Sequence, residues 1–191
     1  MNKTTINLSL SAMFIAIGIV LPFVTGQIPE IGRMLLPMHI PVLLCGLICG
    51  HRYGLIVGFI LPIMRGLMFG MPILFPMGIS MAFELAAYGF VVGLLYHLSG
   101  VKNLFTLFRS LIIAMIAGRI VWGTVFALLL GLSDGYFSFQ LFIAGALINA
   151  MPGIVLQLIL IPMLMAALDR TGLIRFQRTQ HESEIGDSLG R

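Results

Sequence analysis

The chain has 191 residues, of which 59% are hydrophobic and only 9% charged, and its mean hydropathy is +1.08. A water-soluble domain carries about 25% charged residues, so this composition excludes a soluble enzyme, a disordered chain and a nucleic-acid binder. The formal charge of +4 does not restore the last of these, because Lys and Arg stand singly at the ends of apolar segments, as topology signals do in membrane proteins.

The apolar excess runs along the whole length. It predicts an all-α membrane protein with one domain, residues 1–168, followed by a polar cytoplasmic tail, 169–191. A spanning helix needs roughly 20 apolar residues. The first predicted helix is Thr5–Val24, since no charge falls between Lys3 and Glu30. It is long enough to span, so no cleavable signal peptide is read there. Its Ser9, Ala12 and Ala16 share one face, and Ala12-Met13-Phe14-Ile15-Ala16 is a small-xxx-small motif that lets another helix approach. The second helix, Pro37 to Gly50, is short, roughly 20 Å. Cys45 and Cys49 lie on one of its faces and read as small packing residues, too few for a metal site. The third runs from Tyr53 to Phe69, the fourth from Pro76 to Leu98, the fifth from Leu107 to Leu132 and the sixth from Ser138 to Leu168.

With the N-terminus inside, the cytoplasmic face receives Lys3, Arg52, Lys102, Arg109, Arg170, Arg175, Arg178 and Arg191, and the outer face only Arg33. That bias predicts six helices with both ends inside. Two outer loops stand out. Gln27–Leu36 holds Pro29, Glu30, Gly32 and Arg33. Gly66–Pro76 interleaves glycine and proline with Leu67, Met68, Phe69, Met71 and Phe75. An apolar yet broken segment cannot leave its backbone groups in lipid. The second loop is therefore expected to pack on protein, either as an interfacial turn or as a lid.

Ionisable groups inside a membrane cost about 2.5–3.5 kcal/mol each on insertion scales and ask for a reason. Glu84 shares a face of the fourth helix with Ser80 and Tyr88, and Arg119 shares a face of the fifth with Trp122 and Phe126. Counted from the outer ends, both charges fall near mid-depth. Two readings stand: a Glu84–Arg119 pair that only fixes two helices together, or a site where these charges meet a polar ligand beside Trp122 and Tyr88. Arg65, near the outer end of the third helix, either snorkels to the interface or serves the ligand. His39, between Pro37 and Pro41, is a packing residue or sits at a pocket edge. Asn149 and Gln157 fall roughly on one face of the sixth helix, with Pro152 and Gly153 between them. Interhelical hydrogen bonds account for both amides, and Asn149 is the better ligand candidate.

The chain has no GxxxxGK[ST] loop, no HExxH and no Gly-x-Ser-x-Gly elbow. Its histidines at 39, 51, 97 and 181 lack ligand spacing. No enzyme activity, metal or cofactor is therefore expected. No inverted internal repeat is visible, which weakens a standard secondary-transporter fold.

The assembled pattern resembles the substrate-binding S component of an energy-coupling factor (ECF) transporter, over about residues 4–168. Four stretches carry the resemblance. They are the alanine motif at 12–16, the run from Leu36-Pro37-Met38-His39-Ile40-Pro41 through Cys49-Gly50-His51-Arg52-Tyr53-Gly54, the Gly70-Met71-Pro72 loop, and Met81-Ala82-Phe83-Glu84 with Gly118-Arg119-Ile120-Val121-Trp122-Gly123. The resemblance implies a six-helix protein of the bacterial cell membrane that captures a vitamin or related micronutrient from outside. It also implies a transmembrane coupling subunit and two ATPase subunits as partners. Ser9, Ala12 and Ala16 would then meet the coupling subunit. Outer loops and later helices would hold the substrate, through Glu84, Arg119, Trp122, Asn149 and Tyr88, with Arg65 and His39. A stand-alone ion-coupled transporter is the alternative, and a non-transporting membrane scaffold is a third reading.

Overall fold

The computed structural model describes residues 2–24, 37–100, 102–132 and 151–170. Among these residues it shows six helices: α1 (Lys3–Val24), α2 (His39–Cys49), α3 (His51–Phe69), α4 (Ile79–Leu98), α5 (Leu104–Leu132) and α6 (Met151–Arg170). A kinked segment, Leu74–Gly78, with extended backbone at Phe75, leads into α4, and the apolar span there runs over Leu74–Leu98. Five spans are long and apolar enough to cross a membrane, and α2 is shorter. The six expected helices are thus all found. The part of the sixth expected before Met151 lies outside the described residues, as do Asn149, the loop Gln27–Leu36 and the tail beyond Arg170.

Glycines decide how the centre is built. Gly54 and Gly58 of α3 face Gly89 and Leu85 of α4, where a Cβ would run into the Gly89 and Leu85 carbonyls. On α2, a Cβ at Gly46 would meet the Gly89 carbonyl and the Val92 side chain. Bare backbone therefore lies against bare backbone, as in small-xxx-small packing between membrane helices. The pairs show α3 running antiparallel to α4, and α2 parallel to it. The α2–α3 reversal turns on Gly50, whose φ of 102° is a left-handed conformation that suits glycine. Ten of the eleven residues of α2 are buried.

Around this centre, α1 lies antiparallel to α2, with Asn7 Nδ2 donating to the Cys49 carbonyl at 3.4 Å and Ser11 Oγ 3.7 Å from Cys45 Sγ. Cys45 and Cys49 are free, buried thiols, the packing residues their spacing suggested. Gly18 of α1 sits against the Leu61 side chain of α3. On the far side of α4, α5 packs antiparallel. It starts on Asn103, whose Oδ1 accepts the Thr106 N–H at 2.8 Å and caps the helix. The core joins Leu43, Leu61, Leu85, Tyr88, Leu107, Leu111, Ile161 and Met165.

The expected loop Gly66–Pro76 needs correction. Gly66 does not break α3: it is buried inside the helix, where Leu74 folds back onto it. The helix ends instead at Gly70, with φ of 69° and its N–H on the Gly66 carbonyl at 2.9 Å. Leu67, Met68, Met71, Ile73 and Phe75 are exposed rather than packed on protein. Leu74 packs back on Gly66 and Phe69 against Phe23 and Arg65, while the other apolar side chains named turn outward.

Candidate functional site

The site is assembled by α2, α4 and α5. Gly118 of α5 has no side chain, and the Tyr88 ring fills the space where its Cβ would stand. That close approach brings the next residue, Arg119, to Glu84: Arg119 Nη1 lies 3.0 Å from Glu84 Oε1. From the other side, the Gly46–Gly89 approach places His39, the first residue of α2, with Nε2 3.7 Å from the same Glu84 oxygen. The His39 ring tilts against Tyr88, with centroids 5.2 Å apart. One carboxylate oxygen thus faces a guanidinium and an imidazole, all deep in the bundle; Glu84 is 2% exposed, His39 1% and Arg119 14%.

The cluster is under-satisfied. Among the described residues, both ring nitrogens of His39, and Nε and Nη2 of Arg119, are buried without a hydrogen-bond partner. The 3.0 Å contact is an ion pair whose N–H direction misses a hydrogen bond, so Glu84 Oε1 also retains acceptor capacity. An orphaned buried polar group costs about 1–3 kcal/mol. A pair present only to hold two helices in register would use its donors and acceptors internally. Among the described residues, this cluster leaves hydrogen-bonding capacity open midway along the Leu74–Leu98 span and α5.

Trp122 stacks on Phe126 one turn further along α5, with centroids 5.0 Å apart and planes 12° from parallel. This is the shared face that their spacing indicated. Beside them, a cleft of about 380 Å³ between α5 and α6 is lined by Ile112, Ile116, Ile120, Ile154 and Leu158, with Arg119 as its polar element. A larger cleft of about 430 Å³, between α1, α2 and α6, is wholly apolar and is lined by Pro37, Ile40 and Pro41, the residues around His39. On α6, Gln157 is buried with Nε2 unpartnered among the described residues.

Arg65 does not snorkel. It is 4% exposed, donates from Nη1 to the Ile19 carbonyl at 2.7 Å and lies over the Phe23 and Phe69 rings at 5.3 and 5.7 Å. A carbonyl and two rings hold this cation, and it clasps α1 to the C-terminal end of α3. Ser9, Ala12 and Ala16 are exposed on α1 and form a small-residue face that no described helix covers. The spacing of residues missed one class of position, the glycines that set the site. Gly54-Leu55-Ile56-Val57-Gly58 and Gly89-Phe90-Val91-Val92-Gly93 are both GxxxG stretches, and that signal could have found them.

No curated protein and no solved structure matches the chain. A family model described as the ECF transporter, substrate-specific component, matches residues 7–165, most of the chain and all six helices in whole or in large part. With its multi-pass helical bundle and intramembrane polar cluster, the chain belongs to the family of substrate-specific components of ECF transporters.

Proposed function

We propose that this chain is the high-affinity capture subunit of an ECF-type importer for a water-soluble vitamin or related micronutrient, taken from outside the bacterial cell membrane and passed inward at the expense of ATP hydrolysed by partners. The family membership carries the transport role and the partnership with a transmembrane coupling subunit and ATPase subunits. The observation that carries the binding role is the Glu84–Arg119–His39 cluster with its unpartnered nitrogens beside Trp122 and Tyr88. Intramembrane ionisable groups are functional sites by default, and binding sites are mostly apolar with a few convergent polar groups. The exposed Ser9–Ala12–Ala16 face suits the coupling subunit. Lys and Arg placement supports both ends inside.

The test is mass spectrometry of the small molecule that co-purifies with the protein, followed by uptake of that molecule in cells with and without the coupling and ATPase subunits. A bound micronutrient whose uptake needs those subunits meets the expectation. Uptake that persists without any ATPase indicates the stand-alone transporter instead.

A further inference from the structure

The geometry points to a specific recognition element, which rests on the binding reading above. The molecule held at Arg119 presents a coplanar pair of hydrogen-bond acceptors set side by side, either the two oxygens of a carboxylate or the adjacent carbonyl oxygen and ring nitrogen of an oxo-heterocycle.

The argument begins with how Arg119 is used. Its Nη1 is ion-paired with Glu84 at 3.0 Å. The two nitrogens left without a partner among the described residues are Nε and Nη2. They are not an arbitrary pair. The guanidinium is planar, and the Nε–H and one Nη2–H lie along the same edge, parallel, as a two-pronged fork. Such a fork matches acceptors that lie side by side in one plane, as in bidentate carboxylate pairs or the oxygen and ring nitrogen of guanine. It rejects a group offering N–H donors, because a guanidinium carries only donors and has no acceptor to give. Glu84 holds the guanidinium by the nitrogen outside that edge, which orients the fork without consuming it.

The surroundings agree with a flat ligand. Trp122 and Phe126 stack one turn along α5 from Arg119. The Nε and Nη2 atoms are enclosed, and Arg119 also borders the apolar α5–α6 cleft of about 380 Å³, so a ligand reaching the fork enters between apolar walls. His39, with both nitrogens unpartnered, supplies a further donor and acceptor on the opposite side of Glu84.

Trp122 is the chain's one tryptophan, so its fluorescence reports on this site in the purified full-length protein. Three probes are titrated: nicotinate, a flat ring with a carboxylate; nicotinamide, in which one acceptor becomes a donor; and lumazine, an uncharged oxo-heterocycle. Binding of nicotinate or lumazine is expected, with nicotinamide at least about tenfold weaker than a bound nicotinate. Arg119→Lys keeps the charge beside Glu84 but has no planar edge, and should weaken the bound probe about tenfold or more. Glu84→Gln separates the two sources. Removing a neighbouring negative charge tightens nicotinate, while lumazine changes by less than about threefold.

The proposal is overturned if Arg119→Lys binds as the parent does, or if nicotinamide equals nicotinate with lumazine silent. It is also overturned if neither acceptor-pair probe binds although a micronutrient co-purifies, in which case the capture reading stands without it. If Arg119→Lys fails to fold, the comparison of probes on the parent protein still decides. Absence of any co-purifying micronutrient, together with absence of uptake, instead defeats the capture reading itself.

Discussion

The two halves of the bundle are joined by different means. Between α2, α3 and α4, backbone meets backbone: Gly46, Gly54, Gly58 and Gly89 face carbonyl groups that cannot move without shifting a helix. Between α1 and α3, the contact at Gly18 is with the ends of the Leu61 side chain, and at the C-terminal end of α3 with the Arg65 guanidinium. The first joint is rigid because a helix backbone has no rotamers to yield. The second can adapt, because side-chain ends can turn. His39, Glu84 and Tyr88 stand on the rigid joint, whereas the exposed alanine face belongs to α1. The candidate binding cluster thus stands on the part that holds still, and the exposed small-residue face on the part that can adjust.

Five substitutions and one double variant would break or sharpen that contrast. The largest effect is expected at Gly58→Val, whose side chain must drive α3 off the Leu85 carbonyl; the protein should fail to fold. Gly18→Ala, placing its methyl against Leu61, should cost no more than about 1–3 kcal/mol, the usual range for overpacking. Denaturant unfolding in detergent checks both, and equal losses would show that the joints do not differ. Second, Glu84→Ala leaves Arg119 buried and uncompensated, at about 3–5 kcal/mol. The double variant Glu84→Ala with Arg119→Ala should be more stable than the single one, and additive losses in a double-mutant cycle would mean that the two side chains do not couple. Third, Gly70→Ala must hold an L-residue at a φ of 69°, at about 1–2 kcal/mol, seen as a modest fall in Tm with probe binding retained. The smallest effect on stability is expected at Ala16→Trp. It adds bulk to an exposed face, so folding and binding by the isolated protein should be unchanged while uptake by the assembled importer is lost. Unchanged uptake would remove α1 as the partner surface.

Much of this was legible in the sequence, for a definable reason. Helix spans follow from apolar length, and the ends of α3 and α4 fell where Phe69 and Leu98 were expected. Glu84 and Arg119 were conspicuous because charge in an apolar run is costly wherever it sits in the fold. Trp122 and Phe126 share a helix, so spacing alone placed them together. His39 was harder. Its proximity to Glu84 depends on how closely α2 approaches α4, which Gly46 and Gly89 set from distant parts of the chain. The loop at Gly66 misled because glycine reads as a breaker in water, whereas here its lack of a side chain makes room for Leu74 inside an intact helix. Arg65 looked like an interfacial cation because its carbonyl and aromatic partners lie on α1 and at Phe69, and spacing along α3 does not reveal the first of these.

The shortness of α2 has a consequence for how the protein meets its lipid. Eleven residues span only about 16 Å, roughly half of a hydrocarbon core of about 30 Å. A lipid-facing helix of that length would have to thin the bilayer around itself. Because α2 is enclosed by its neighbours, it escapes hydrophobic mismatch, and His39 keeps its depth relative to Glu84 whatever the thickness of the membrane. The opposite holds for α5. Its 29 residues reach about 43 Å, and it turns Ile113 and Leu128 outward, so it must tilt or project from the bilayer. Membrane thickness therefore bears on the helix that carries Arg119 and leaves the one that carries His39 alone.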